Sequence, residues 1–195
     1  MWKIVLTVML TVAMAACLAN GLTRQDIQLV PLKPEDMQEA VMGGKVDAVS
    51  TWNYPLTQIK QALGASGLIF YDRHIYTETF NIAAQQNFVH NNPQTVERFL
   101  HALLQAEEFE KNHTDQAHAI VAAATKIDKK LVSEVANAFT FRVTLDRTLL
   151  ITLEDETRCA MKNQLTQQTL MPDYANFIYQ DSLKAVKPGA VNAIR

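Results

Sequence analysis

Residues 37–55, with the sequence MQEAVMGGKVDAVSTWNYP, determine the fold predicted for this chain. The segment has the pattern of a helix, a tight turn, a buried strand and an exposed end rich in aromatic and polar residues. Gly43 and Gly44 are expected to end the helix, because glycine readily takes the left-handed conformation that a helix C-cap needs. The apolar run at residues 46–49 is typical of a strand in a covered sheet.

The residues directly after this strand form the first candidate site. Ligands of open α/β sheets bind just beyond the carboxyl ends of the strands. Two aromatic and three small polar side chains occupy that position: Ser50, Thr51, Trp52, Asn53 and Tyr54. We therefore expect a ligand site, if the chain has one, to include part of this segment.

Composition indicates a globular chain. The 195 residues are 48% hydrophobic and 19% charged, which suits one ordinary domain or two small ones that share a core. The net charge is −2, and no basic cluster is longer than Lys129-Lys130, so nucleic acid is not an expected partner. Cys17 and Cys159 form neither a CxxC motif nor a ligand pair, so a disulfide framework is not expected.

Residues 1–20 allow two interpretations that exclude each other. In the first they are a secretory signal, with the apolar run 4–14 followed by small residues and Cys17, which would accept a lipid as in a lipoprotein. In the second, residues 3–8 form a strand and residues 11–20 form a helix that ends at a glycine. The apolar run is too short and too soon interrupted to predict a membrane span.

Strand and helix patterns alternate after residue 21. The predicted strands are residues 26–30, 46–49 and 68–71, and the predicted helices are residues 34–42 and 56–63. This βαβαβ order implies a parallel sheet with right-handed crossovers.

The second half of the chain is predicted to be mainly helical. Residues 79–89 form an extended apolar segment, and Asn92-Pro93 then starts a helix with one buried face. Thr114 and Asp128 are expected to cap two more helices. The alternation at residues 139–145 predicts a half-buried strand or an extended segment. Two further helices are predicted at residues 146–168 and 172–186.

The search for catalytic motifs gives no candidate. The sequence contains no HExxH, no G-x-S-x-G and no phosphate-cradling glycine loop. His113 and His118 are five residues apart, which differs from the i, i+4 spacing of a helical metal pair. We therefore predict that the chain is not an enzyme and that it uses no cofactor or metal.

Three segments carry a resemblance to a known family. They are ANGLTRQDIQLVPLKPEDMQEAVMGGKVDAVSTW at residues 19–52, YTETFNIAAQQNFVHNNPQTVERFLHALLQAEEFEKN at residues 76–112, and MPDYANFIY at residues 171–179. The chain resembles the periplasmic substrate-binding proteins of ABC importers that take up sulfonates, taurine, nitrate and thiamine-pyrimidine precursors. The resemblance covers nearly everything from Ala19 to the C-terminus.

The resemblance implies an α/β, type II periplasmic-binding-protein-like fold. The fold would be partially bilobed, with a mainly parallel sheet and a helical C-terminal part. Residues 1–20 would be a signal-like segment or the first strand and helix of lobe two, and residues 21–76 would be the βαβαβ part of that lobe. Residues 77–195 would hold a crossing strand, the remainder of lobe one and the C-terminal helices. The usual N-terminal segment of lobe one has no counterpart here.

The resemblance also implies the function of a solute-binding component of an ABC importer. A small, anionic organic compound would be captured in a cleft between the lobes, and the closed form would be presented to a membrane permease and its ATPase. The protein would be periplasmic or extracytoplasmic, with Cys17 as a possible lipid anchor. The candidate ligand contacts are Thr11, Thr51, Trp52, Asn53, Tyr54, Thr77 and Thr79.

The missing segment leaves alternatives open. A lobe without its opening strands has an unpaired sheet edge and an uncovered apolar face, so self-association is expected. A sensor or interaction domain derived from a binding protein is one alternative function, and a truncated fragment without activity is another. The family's Gly-Ser or Gly-Thr after the first strand of lobe two is also replaced by Met9-Leu10-Thr11.

Overall fold

The computed structural model describes residues 2–6, 20–23, 25–70 and 78–192. The chain divides into two compact units. The first comprises residues 1–77 and 158–169, and the second comprises residues 78–157 and 170–195.

A three-stranded parallel sheet organises the first unit. Its strands are β1 (Trp2–Leu6), β2 (Ile27–Pro31) and β3 (Ala48–Ser50), and their order is β2-β1-β3. The N-terminal strand therefore lies in the middle of the sheet. The second interpretation predicted a strand at residues 3–8, and the structure has one at Trp2–Leu6. The helix expected at residues 11–20 lies almost wholly outside the described residues.

Helix α1 (Pro34–Met42) has the predicted bounds. Proline fits its first position, where the missing N–H has no acceptor within the helix, and Glu35 and Asp36 lie in the first turn, where the helix dipole favours acidic groups. Gly44 ends the helix with a φ of 67°, while the N–H of Lys45 reaches back to the carbonyl of Ala40 at 2.9 Å.

The core of the first unit forms where α1 meets β3 and the next helix, α2 (Asn53–Leu63). Met37 is fully buried, and Ala40, Val46 and Ile59 are each 4% exposed. Val46 precedes the strand, which covers residues 48–50 rather than the predicted 46–49. The hydrogen-bonded strand therefore begins two residues later than predicted, and of the apolar run Val46 is buried, Val49 is half-buried and Ala48 is exposed.

The strand predicted at residues 68–71 is wrong where the structure describes it. Leu68 and Phe70 are 80% and 92% exposed, and residues 67–70 pair with no strand among the described residues. The chain turns before them, since Lys60 Nζ donates to the carbonyls of Gly64 and Gly67 at 2.8 and 2.6 Å. An apolar run without a neighbouring strand does not become a strand.

The second unit is helical in its described part. The helices are α3 (Gln86–Asn91), α4 (Pro93–Asn112), α5 (Thr114–Thr125), α6 (Lys129–Ala136), α7 (Arg147–Lys162), whose last five residues belong to the first unit, and α8 (Asp181–Val186). Asn92-Pro93 does start α4, and Asp128 caps α6 by accepting hydrogen bonds from the N–H groups of Lys130 and Leu131. Thr114 is the first residue of α5, so the N-cap is His113 rather than the predicted threonine.

Helix α4 lacks the buried face that its periodicity predicts. None of its residues is buried, and Phe99 and Phe109 are 47% and 36% exposed. Val96, Leu100, Leu103 and Leu104 are half-buried. Glu107 is half-buried as well, and its carboxylate accepts hydrogen bonds from the N–H of Val143 at 2.8 Å and from Lys187 Nζ at 3.0 Å. An ion pair and a backbone contact thus tie α4 to the segments around it.

Residues 139–145, predicted as a half-buried strand or an extended segment, form no strand, and Leu145 makes one isolated bridge with Val191. Two predictions for the helices that follow need correction. Asp146 caps α7 as predicted, because its carboxylate accepts a hydrogen bond from the N–H of Thr148. Helix α7 ends at Lys162 rather than at residue 168, and Gln164, just beyond its end, takes a φ of 55°. The helix predicted at residues 172–186 is interrupted, because a short 3₁₀ helix at Tyr174–Phe177 and an extended link precede α8.

Candidate functional site

The carboxyl ends of the three strands are aligned at one edge of the sheet. Leu6 lies opposite Pro31 on one side and opposite Ser50 on the other. In doubly wound sheets whose order begins 2-1-3, ligands bind beside the carboxyl ends of the first and third strands. The residues that follow Ser50 therefore lie where such a sheet places its ligand.

Thr51 is the first residue beyond β3, and its hydroxyl is buried. Among the described residues no group forms a hydrogen bond with its Oγ1. Leaving a buried hydroxyl unpaired costs about 1–3 kcal/mol, so the position favours a partner that the described residues do not supply. The described residues include three other buried side-chain atoms without a hydrogen bond, namely His118 Nε2, Gln180 Oε1 and Ser182 Oγ, but none of them lies at a strand end.

Trp52 lies directly before helix α2, and Asn53 and Tyr54 are the first two residues of that helix. Trp52 is the N-cap residue in an extended conformation, and its carbonyl accepts the N–H of Leu56 at 3.1 Å. Asn53 and Tyr54 are therefore helical rather than part of an exposed loop, and all three side chains are half-buried. The first turn of α2 contains no acidic residue, so no side chain of that turn neutralises the positive end of the helix dipole.

Thr79 lies in the second unit and is exposed. Its Oγ1 and carbonyl oxygen both accept hydrogen bonds from Asn81 Nδ2, at 3.1 and 3.3 Å. The hydroxyl already has a local partner, which weakens the case for Thr79 as a ligand contact.

The other predicted positions fall outside the described residues. They are Thr11, Thr77 and Cys17. Of the seven predicted ligand contacts, the structure thus brings Thr51, Trp52, Asn53 and Tyr54 together on one short segment.

Surface depressions occur elsewhere in the described part of the chain. One lies at the start of α4 and is lined by Asn91, Asn92, Pro93, Gln94, Thr95 and Arg98. Another lies beside α1 and is lined by Val30, Leu32, Asp36, Glu39, Ala40, Lys45 and Val46. Neither includes a predicted ligand contact. The only sequence signal at the first depression is Asn92-Pro93, which we interpreted as a helix start.

No cluster of three or more histidine, cysteine, aspartate and glutamate side chains in the described residues could hold a metal ion. No helix in the same residues combines the length and apolarity needed to cross a bilayer.

Comparison with known proteins identifies the family. The family model described as "NMT1/THI5 like" matches residues 7–117, which is more than half of the chain and includes all of β2, α1, β3 and α2. The chain belongs to the NMT1/THI5-like family. Membership implies a periplasmic-binding-protein fold and confirms the family expected from the sequence motifs.

Individual relatives are binding proteins by name. The "Putative aliphatic sulfonates-binding protein" of Bacillus subtilis (strain 168) is 29% identical over 111 residues, covering 56% of this chain and 33% of the relative. A "Putative binding protein" of Brucella abortus (strain 2308) is 30% identical over 127 residues, covering 60% of this chain and 38% of the relative. The chain thus matches little more than a third of the length of these curated relatives. No solved structure gives a match.

Proposed function

We propose that this member of the family is a solute-binding component of an ABC importer, and that it captures a small anionic organic compound at the carboxyl edge of the β2-β1-β3 sheet. Sulfonates and pyrimidine precursors are the organic candidate solutes, and nitrate is an inorganic candidate of the same kind of importer. The observation that carries the proposal is the unpaired, buried hydroxyl of Thr51 at the end of β3. The type II bilobed architecture that the family resemblance implies remains a prediction.

The chemistry around Thr51 suits an anion with an apolar body. The first-turn N–H groups of α2 have no acceptor within their helix, and the helix dipole favours a negative charge near them. Trp52 and Tyr54 supply half-buried rings for the apolar part, and Asn53 supplies an amide. A few directed polar groups beside aromatic surface are typical of small-molecule sites.

The remaining parts of the proposal rest on the resemblance. Thr11 and Thr77 would add hydroxyl donors, and Thr79 would do so only after releasing Asn81. The partners would be a membrane permease and its ATPase, and the role would be non-catalytic. The protein would act outside the cytoplasm, and Cys17 would anchor it if it carries a lipid.

An interaction domain derived from a binding protein is a second candidate. The observation that favours it is the exposure of large apolar side chains in the second unit, among them Phe80 at 74% and Ile82 at 65%. Such surfaces commonly bind other polypeptides.

A thermal-shift screen with matched variants tests the binding proposal. Purified protein would be heated with alkanesulfonates, taurine, nitrate and pyrimidine precursors. A ligand that binds only the native state stabilises it by about 2.7 kcal/mol at a hundredfold excess over its dissociation constant. We expect Thr51→Val and Trp52→Ala to abolish the shift, and we expect the control Thr57→Val, on the same helix, to keep it.

The Thr51→Val variant also separates ligand binding from a structural role. Replacing an unpaired buried hydroxyl with a methyl group should leave the unliganded protein as stable as before, or more stable. A large loss of stability without ligand would mean that Thr51 has a structural partner. The absence of any shift with every candidate compound would contradict solute binding and favour the interaction domain.

A further inference from the structure

The junction between α4 and α5 contains a motif that solute binding does not use. Asn112 is the last residue of α4, His113 is the N-cap of α5, and Thr114 is the first residue of α5. The order Asn-His-Thr fits the pattern Asn-x-Ser/Thr, with x other than proline, which marks an asparagine that can accept an N-linked glycan in a secreted protein. The chain has 11 asparagines, and only Asn112 begins such a pattern, so the sequence points to one acceptor.

The motif lies on the surface of the second unit. Its three residues are exposed, and so are Lys111 and Asp115 beside them. The backbone of His113 has a φ of −137° and a ψ of 44°, so the chain leaves the helical conformation between the two helices. A glycan-transferring enzyme must draw the acceptor side chain and its neighbours into its own active site. An exposed, non-helical junction permits this, whereas the middle of a packed helix would not.

Local hydrogen bonds hold the two polar side chains of the motif. Asn112 Nδ2 donates to Glu108 Oε1 at 2.6 Å, and Thr114 Oγ1 donates to the carbonyl of Glu110 at 2.8 Å. Each partner lies four residues earlier in the chain, in the last turns of α4. Hydrogen bonds between exposed groups are readily exchanged for bonds to water, so these contacts leave the amide and the hydroxyl accessible to an enzyme.

We propose that Asn112 is an N-glycosylation site. The inference goes beyond solute binding, but it rests on the proposed location outside the cytoplasm, where secreted proteins receive such glycans. The glycosyl donor would be a lipid-linked glycosyl pyrophosphate, and a separate transferase would catalyse the step.

The transfer exchanges one bond for another without oxidation or reduction. Asn112 Nδ2 forms a bond to the anomeric carbon of the sugar, and the bond between that carbon and the pyrophosphate oxygen breaks. The lipid pyrophosphate leaves with the electron pair of the broken bond. The amide proton of Nδ2 passes to a base of the transferase.

The surroundings of Asn112 indicate what the glycan would do. The ring of Phe109 is in contact with solvent, with 36% of the residue exposed, and lies 5.0 Å from the ring of His113. A glycan is bulky and hydrophilic, so on Asn112 it would shield this aromatic surface and increase solubility.

Peptide mapping by mass spectrometry tests the proposal on the full chain, purified from the exported fraction of its own organism. Trypsin cuts after lysine and arginine, so Asn112 falls in the peptide of residues 112–126. We expect this peptide to carry the added mass of a glycan, and we expect fragmentation to place that mass on Asn112.

Matched variants test whether the motif directs the modification. Asn112→Gln and Thr114→Ala should each abolish glycosylation, whereas Thr114→Ser should keep it, because the pattern accepts either hydroxyl. The control is Asn137→Gln, since Asn137 is also exposed at the end of a helix but begins no such pattern, and this variant should keep the glycan. Circular dichroism should show unchanged helix content in Asn112→Gln, because glutamine is a good helix former.

The outcomes separate this inference from the proposed location and function. An exported chain whose 112–126 peptide has its unmodified mass would overturn the glycosylation and leave solute binding untouched. A glycan that persists in Thr114→Ala, or one that is lost in Asn137→Gln, would show that the motif does not direct the modification. Recovery of the chain only from the cytoplasm, without a glycan, would contradict the proposed location and this inference together.

Discussion

Helices α1 and α4 begin alike and differ in what covers them. Each has proline at its first position, and each has apolar residues at helical spacing. In α1, Met37 and Ala40 are buried against β3 and α2, whereas α4, with twenty residues, buries none. A periodic apolar pattern gives a helix an apolar face, but that face is buried in a core only where a neighbouring element packs against it.

The largest expected effect is the difference in the free energy of unfolding between truncating a side chain of α1 and truncating one of α4. Met37→Ala removes a fully buried side chain and should lower the free energy of unfolding by about 2–5 kcal/mol. Phe99→Ala, at a site 47% exposed in α4, should change it by about 0.5 kcal/mol or less. Urea unfolding followed by circular dichroism measures both. A similar cost at the two sites would mean that α4 is covered after all.

The next prediction concerns the contact that holds α4. Glu107→Gln removes the charge that pairs with Lys187, and we expect a loss of about 1 kcal/mol after allowing for solvent screening. Glu108→Gln on the exposed side of α4 is the control and should cost much less. Equal losses in the two variants would show that the contact with Lys187 does not matter.

The carboxylate of Glu107 also makes the stability of the protein depend on pH. Burial alone would raise the pKa of Glu107, but the N–H of Val143 and the ammonium of Lys187 outweigh it and hold the pKa below its usual value of 4.5. Stabilisation by this group is therefore complete above pH 4.5 and is lost as the pH falls through the lowered pKa. Thermal melts at decreasing pH should show an acid destabilisation that is smaller in Glu107→Gln.

A smaller effect tests how α1 ends. Gly44 has a φ of 67° and open space around the position of a Cβ, so Gly44→Ala adds strain without a clash. We expect a cost of about 1–2 kcal/mol from the left-handed conformation alone. Gly189→Ala is the matched control, since Gly189 also has open space and has no positive φ. Comparable costs at both positions would rule out the conformational explanation.

The smallest effect is expected from the surface pair beside this cap. Lys45 and Glu39 form an ion pair at 3.0 Å, but their side chains are 68% and 82% exposed. Exposed pairs are screened by water and ordering them costs entropy, so Lys45→Gln should leave the melting temperature almost unchanged. A loss as large as that of Glu107→Gln would remove the distinction between half-buried and exposed ion pairs in this protein.

Sequence reasoning succeeds in this chain where local chemistry alone decides the structure. Helix α1 has its predicted bounds because proline and the two glycines mark its ends within the sequence. The strand predicted at residues 68–71 was wrong, since an apolar run becomes a strand only if another strand lies beside it, and for residues 139–145 the sequence left a strand and an extended segment both open. The sequence also contains no signal for the end of α7, because the residue that takes the left-handed conformation there is Gln164 and not a glycine.

The position of Thr51 and Trp52 beyond the end of a strand was predictable from the sequence, whereas their role in ligand binding stays a prediction. The rule for parallel sheets located Thr51 and Trp52 from the sequence alone. Asn53 and Tyr54 are helical although Pro55 disfavours the helical conformation for the residue before it, because proline is tolerated in the first turn of a helix. The missing partner of Thr51 Oγ1 depends on burial by surrounding atoms, and no sequence pattern reports that.

The central position of β1 has a consequence for the order of folding. This strand precedes both of its neighbours in the chain, yet its second edge is completed only by residues 48–50. During synthesis, β1 must therefore leave the ribosome and wait, with open backbone groups, until β2, α1 and β3 have followed. Loop closure over such separations is slow compared with helix formation, so the sheet should be among the last structures of the first unit to form.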